Sequence, residues 1–194
     1  MNWRTTAGLF LVLVLLAAIV YWQQRQEPEP VEPTPGLTQP IPVELVSGVG
    51  AADIVSISVS DLNNDLTREF ELNEDDGIWY QTVPTYTALL TPTMQANVSG
   101  LARLTSRRAL EPDANPLSDY GLDEPDYSFT FRADRNDQTI RYLFLVGNET
   151  PTGDAFYIQR EGDERVHVAV PTNIQNMIDL VTSPPIVVEA TPTP

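Results

Sequence analysis

The chain contains no cysteine and no lysine, and it has a single histidine. Without cysteine there is no disulfide, no thiolate metal site, no cysteine nucleophile and no lipid-modified cysteine anchor. The same absence suits any redox compartment, so it does not locate the protein. Without lysine every basic side chain is an arginine, and 11 of them stand against 27 acidic residues. The net charge of −16 opposes binding to nucleic acid and to anionic lipid. A solvated, non-adhesive surface accounts for this charge without a dedicated cation site.

One long apolar run is present. Ala7–Trp22 carries no charge, and Thr5 and Thr6 lengthen the uncharged stretch to 18 residues. At about 1.5 Å per residue this just spans the roughly 30 Å hydrocarbon layer. Trp3 at one end, with Tyr21 and Trp22 at the other, are interface-anchoring residues. Arg4 precedes the run, whereas Glu27, Glu29 and Glu32 follow Arg25. That asymmetry favours the amino terminus inside and the rest of the chain outside. A cleaved signal peptide is the competing reading, but Ile19-Val20-Tyr21-Trp22 offers no small residues for cleavage. Residues 1–22 are therefore expected to be a retained transmembrane signal anchor at the cell membrane, with the remainder extracytoplasmic.

Residues 23–42 are rich in proline and glutamate and hold no aromatic residue. Such a segment buries too little to offset its ordering entropy and reads as an extended linker. Residues 183–194, with Pro184, Pro185, Pro192 and Pro194, read as a disordered tail. One domain remains, residues 43–182, long enough for a real core. It has nine arginines against 23 acidic residues.

Strand periodicity dominates this domain. Val55, Ile57 and Val59 alternate with serines, and Leu66, Phe70 and Leu72 alternate with Glu69 and Glu71. Asp75-Asp76-Gly77 is turn chemistry, after which Ile78 to Val83 is again extended. A helix is expected next, with Thr91 at its N-cap and Pro92 at its first position. Met94, Val98, Leu101 and Leu104 form its apolar stripe, and Arg103, Arg107 and Arg108 suit its C-terminal dipole. The plan then repeats. Tyr127, Phe129 and Phe131 alternate with polar residues. Thr139 to Val146 is apolar on both faces, as a central strand would be. Two further strands, Ala155 to Arg160 and Arg165 to Val170, precede a helix bearing Ile174, Met177, Ile178 and Val181. The expected fold is α+β: two successive antiparallel β-meander-plus-helix units, about 54–110 and 120–182, behind the N-terminal membrane helix.

Several strings within this layout resemble a known family. They are Asp76-Gly77-Ile78-Trp79, Asp119-Tyr120-Gly121-Leu122-Asp123-Glu124-Pro125, and Gly147 to Gly153 leading to Phe156-Tyr157-Ile158. In that order, over roughly residues 54–181, the chain resembles the bacterial domain-of-unknown-function family 4340. The marked positions are Trp79, Tyr120, Gly121, Leu122, Pro125, Gly147, Gly153 and Tyr157. Each has a structural rationale. Gly121 can take a positive φ after a helical turn, Leu122 can plug a core, and Pro125 imposes an extended lead-in to the next strand. The resemblance implies a membrane-tethered extracytoplasmic domain accompanying ABC-transporter accessory proteins of the gliding type. It implies no reaction.

Candidate chemistry is sparse. If Val166, Val168 and Val170 face the core, His167 points to solvent beside Arg165, with no visible nucleophile or orienting partner. Asp61-Leu62-Asn63-Asn64-Asp65 mimics a calcium loop, but Leu66 and Leu72 replace the glycine and glutamate an EF-hand needs. Gly48-Val49-Gly50 precedes a strand and lacks the third glycine of a dinucleotide fingerprint. Asp123 and Glu124 form the kind of acidic pair that chance alone supplies in so acidic a domain. No catalytic residue, cofactor or metal is assigned. The favoured function is a non-enzymatic interaction or scaffold domain with a protein partner in the cell envelope, an ABC-transporter complex being one candidate. An extracytoplasmic hydrolase or glycan-acting enzyme is the alternative. Amino-terminal sequencing of the membrane-bound protein is expected to begin at or next to Met1; a start within residues 20–30 would show cleavage instead.

Overall fold

Alternating apolar and polar residues build one large antiparallel sheet in the computed structural model, which describes residues 42–112 and 114–187. The run Ala7–Trp22, most of the linker and residues 188–194 lie outside these. Among the described residues no helix is long and apolar enough to cross a membrane. The strands are β1 (Val43–Glu44), β2 (Ile54–Asp61), β3 (Leu66–Asn73), β4 (Ile78–Val83), β5 (Thr87–Ala88), β6 (Thr105–Ala109), β7 (Tyr127–Arg135), β8 (Gln138–Glu149), β9 (Phe156–Arg160) and β10 (His167–Ala169). Two helices, α1 (Thr91–Leu101) and α2 (Pro171–Thr182), and two 3-10 turns, Ala51–Asp53 and Leu117–Tyr120, complete the described part. The α+β reading holds at this level.

Strand order across the sheet is β1-β6-β10-β9-β8-β7-β2-β3-β4-β5. Both expected meanders are present, β2-β3-β4 and β7-β8-β9-β10, and they meet where β2 pairs antiparallel with β7. The two units follow one another along the chain but exchange segments. After α1 the chain crosses to the far meander, where β6 pairs with β10. After β10 it crosses back, and beyond α2 Ile186 bridges Leu89 beside β5. Helix α2 itself lies against β2 and β3 of the first meander. Each half thus completes the other. Periodicity reveals each meander but carries no sign of this exchange.

One face of the sheet carries the main core. Ile57, Val59, Phe70, Trp79, Phe129, Phe131 and Phe144 are at most 1 % exposed and share one buried cluster with the apolar residues of both helices and with Leu45, Val46 and Val49. Phe129 and Phe144 stack with centroids 4.9 Å apart. From α1 the stripe Met94, Val98 and Leu101 is buried, and Leu104 follows just past the helix end. From α2 come Ile174, Met177, Ile178, Leu180 and Val181. Asn173 fastens the helices together through a hydrogen bond from Nδ2 to the Gly100 carbonyl at 3.3 Å. Arg68 Nε donates to the Val181 carbonyl at 2.7 Å, placing a cation at the C-terminal end of α2.

Three local expectations are corrected. Leu90, not Thr91, occupies the N-cap of α1, without a side-chain cap. Arg107 and Arg108 belong to β6, so only Arg103 serves the helix end, its Nε donating to the Ser99 carbonyl at 3.1 Å. The tail does not leave the fold at Ser183. The Leu90 amide donates to the Pro185 carbonyl at 2.8 Å, and the Val187 amide to the Ala88 carbonyl at 3.1 Å. A chain ending at Thr182 loses those partners at the edge of β5. It is expected to melt below one ending at Val187, each lost backbone bond being worth about 0.5–1.5 kcal/mol; equal melting temperatures would show that the pairing carries no stability.

Candidate functional site

The single histidine is not on the surface. His167 pairs with Ile158, a core residue, and is 0 % exposed. The expectation failed because both faces of β10 are covered. Ala169 joins the core under the helices, while Val166 buries on the opposite face beneath the Leu117–Tyr120 turn. Alternation therefore could not tell which face is wet.

His167 sits in a polar chain. Its Nε2 is 3.0 Å from Asp163 Oδ2, and its Nδ1 is 3.3 Å from Ser106 Oγ. Asp163 is held in turn by Arg165, whose Nε and Nη2 donate at 2.9 and 2.8 Å and whose backbone amide donates at 3.1 Å. These bonds from Arg165 hold the Asp163 carboxyl well below the usual carboxylate range, against the opposing effect of burial. Burial pushes the His167 imidazole below its ordinary value, and Asp163 only partly offsets this. A neutral imidazole beside a carboxylate must donate from Nε2. Nδ1 is then an acceptor, and the Ser106 hydroxyl donates to it.

Serine, histidine and aspartate are the members of a hydrolytic triad, but this arrangement cannot act as one. Ser106 and His167 are both 0 % exposed. Ser106 lies mid-strand, paired with Val43 on one side and Ala169 on the other. A nucleophile must reach its substrate, and nothing reaches this hydroxyl without parting the sheet. The group instead fastens β6, β10 and the turn before β10. Sequence reasoning missed Ser106, which lies in a strand read as a helix end. The Asp163-x-Arg165-x-His167 spacing beside a turn was the available signal for the rest.

The other candidate is the face of the sheet opposite the helices. Residues paired across antiparallel strands share a face, so the register sets it out in rows. One row runs Tyr80, Glu71, Ser56, Arg132 and Arg141 from β4 to β8. The next runs Glu69, Ser58, Thr130 and Leu143. Short serine and threonine side chains make a floor between longer acidic and basic ones. The result is an open groove of about 260 Å³.

The family-like positions lie at the other end of the same face. Gly121 caps the Leu117–Tyr120 turn with φ 68°. A Cβ on Gly147 would collide with the Tyr120 carbonyl oxygen, so glycine lets this turn cross β8 at close range. Tyr120 and Tyr157 meet with centroids 4.9 Å apart, and Leu122 is buried in the same small cluster. Tyr120, Gly121, Leu122, Gly147 and Tyr157 thus form one packed crossing. Pro125 precedes β7, and Gly153 turns the β8–β9 loop with φ 69°. Trp79 stands apart, buried in the main core. In that β8–β9 loop the Thr152 hydroxyl, then Arg107 and the Thr150 hydroxyl, hold the Asp154 carboxyl down to about 2.

The acidic loops are turns. The Asn64 amide and side chain both donate to Asp61, at 3.1 and 2.8 Å. Asp76 accepts from the Ile78 amide at 2.8 Å. Among the described residues no group of three or more acidic or histidine side chains converges on a common point. Asp123 and Glu124 are exposed.

Residues 87–181 match the model of the family described as Domain of unknown function (DUF4340), so the resemblance to that family holds over this stretch. The matched stretch contains the Tyr120–Gly147 crossing and the His167 network, while Trp79 and the first meander precede it. No curated protein and no solved structure matches the chain.

The buried network sets a pH response. An imidazole with a lowered folded pKa stays neutral while the unfolded chain takes up a proton. Stability is therefore full above the ordinary value of 6.5 and falls as the pH drops through it. Asp163, whose folded pKa is depressed, adds a second loss below the ordinary carboxylate value of 3.8. His167→Ala is expected to lower stability at pH 8 by about 1–3 kcal/mol, because Ser106 loses its acceptor. It should also abolish the first acid step in melting temperature. An unchanged profile would contradict the buried neutral imidazole.

Proposed function

We propose that the chain is a membrane-tethered, extracytoplasmic interaction domain that contacts a component of the cell envelope through its open sheet face. The observation that carries this reading is the contrast between the molecule's two polar assemblies. The Ser106–His167–Asp163 group has the residues of a hydrolase but is closed to substrate. The groove floored by Ser56, Ser58 and Thr130 is open and shallow, with its long charged side chains free to meet a partner. The membrane tether rests on the apolar run Ala7–Trp22, and an ABC-transporter complex is a candidate setting from the family resemblance. The hydrolase alternative draws on the buried triad alone, and it requires that the sheet open.

Two measurements separate these readings. A photo-cross-linking residue at Ser58 in the full-length protein, activated in intact membranes, is expected to capture a specific envelope component. Arg132→Glu together with Arg141→Glu should abolish that capture while leaving the melting temperature unchanged. A serine-reactive fluorophosphonate should leave Ser106 unlabelled. Labelling of Ser106, with no capture at Ser58, would replace the interaction reading with the hydrolytic one.

A further inference from the structure

Tyr86 is 64 % exposed, the largest value among the big apolar side chains of the described residues. Its ring is nevertheless stacked on Tyr80, with centroids 4.8 Å apart and planes within 15°. The Tyr80 hydroxyl donates to Asp76 at 2.9 Å, which fixes the lower ring. The upper ring therefore presents a preset aromatic platform. It stands at the end of the row that continues through Glu71, Ser56, Arg132 and Arg141. With strands about 4.8 Å apart, that row extends for about 19 Å.

The charges along the groove are mixed. Glu69, Glu71 and Asp134 stand against Arg132 and Arg141. Arg132 lies directly opposite Arg141, an unfavourable cross-strand pairing of like charges. Its carboxylate contact, Asp134, is 3.7 Å away and exposed. Arg141 makes no ion pair among the described residues. A polyanion would meet the negative field of the whole domain, and a polycation would meet the two guanidiniums. An uncharged ligand rich in hydroxyl groups meets neither obstacle. Carboxylates accept hydrogen bonds in pairs, guanidiniums donate them in a planar fork, and serine and threonine do both. The C–H face of a sugar ring is attracted to the negative face of an aromatic ring. An open groove with a platform at one end suits an extended chain of such rings.

We propose that the open face binds an uncharged oligosaccharide laid across β4 to β8. One sugar ring rests on the Tyr80–Tyr86 stack, and hydroxyls further along meet Glu71, Ser56, Arg132 and Arg141. The assignment rests on the reading of this face as the contact surface, and it names the class of envelope component bound there.

The test is calorimetric titration of the full-length protein in detergent with cellotetraose, maltotetraose and tetra-N-acetylchitotetraose, with tetragalacturonate as an acidic comparison. At least one neutral tetrasaccharide is expected to bind, and more tightly than tetragalacturonate. Tyr86→Ala and Arg141→Met should each weaken that binding about tenfold, as loss of one good contact does, without lowering the melting temperature. The proposal is overturned if no neutral sugar binds, if the acidic one binds as well, or if both variants bind like the parent. If the sugars fail while the Ser58 cross-linker captures a protein, the glycan assignment falls and the contact-face reading stands. If both fail, both readings fall.

Discussion

The pairing of β2 with β7 is the joint on which the rest of the structure depends. It sets Ile57 opposite Phe131 and Val59 opposite Phe129, so the apolar sides of two meanders become one continuous floor. Neither meander could cover that floor with its own parts. α2 comes from the second half of the chain and rests on β2 and β3 of the first, while β6 comes from the first half and pairs with β10 of the second. Loss of the β2–β7 register would therefore separate the floor under the helices, on β2, β3 and β4, from the apolar side of β7 and β8. A one-residue slip would put Ile57 and Val59 on the opposite face of the sheet from Phe129 and Phe131, and the floor would no longer be continuous.

Polar chemistry is divided between two places, and burial decides what each can do. Ser106, His167 and Asp163 satisfy one another inside the sheet, where their hydrogen bonds fix strand positions and specify a single arrangement. On the open face similar side chain types stand in water, held by the sheet but with little satisfaction from one another. Among the described residues, the side chains of Ser56, Ser58, Glu71 and Arg141 make no hydrogen bond to one another. The Tyr120–Gly147 crossing marks the boundary, because it covers one half of that face and leaves the other bare.

Much of the local structure was legible in the residues. Alternation located β2, β3 and β7, extended apolar runs located β4, β8 and β9, and the stripes Met94–Val98–Leu101 and Ile174–Met177–Ile178–Val181 located both helices. Tyr120-Gly121-Leu122 was recognisable as a turn with a core plug, though its landing place on Gly147 was not. The failures share one cause. Thr105–Ala109, Pro185–Val187 and His167 owe their state to segments far away in sequence. A short strand such as β6, with two arginines in five residues, has no periodicity of its own to declare it. Assigning His167 to solvent assumed one wet face, and the Tyr120–Gly147 crossing covers the second face over this half of the sheet.

The reciprocal exchange between the halves also governs when the domain can form during its synthesis. The first meander emerges early, but the helix that shelters its β2 and β3 lies at residues 171–182. The segment that borders its β5 comes later still, at 185–187. A nascent chain containing only the first half therefore leaves Ile57, Val59 and Phe70 partly uncovered until nearly all of the domain has left the ribosome. Its decisive contacts are distant in sequence, which slows folding and prolongs exposure of sticky intermediates. Acidic residues at close intervals along this first half, among them Asp61, Glu69, Glu71 and Asp76, give the uncovered chain a charge that opposes self-association.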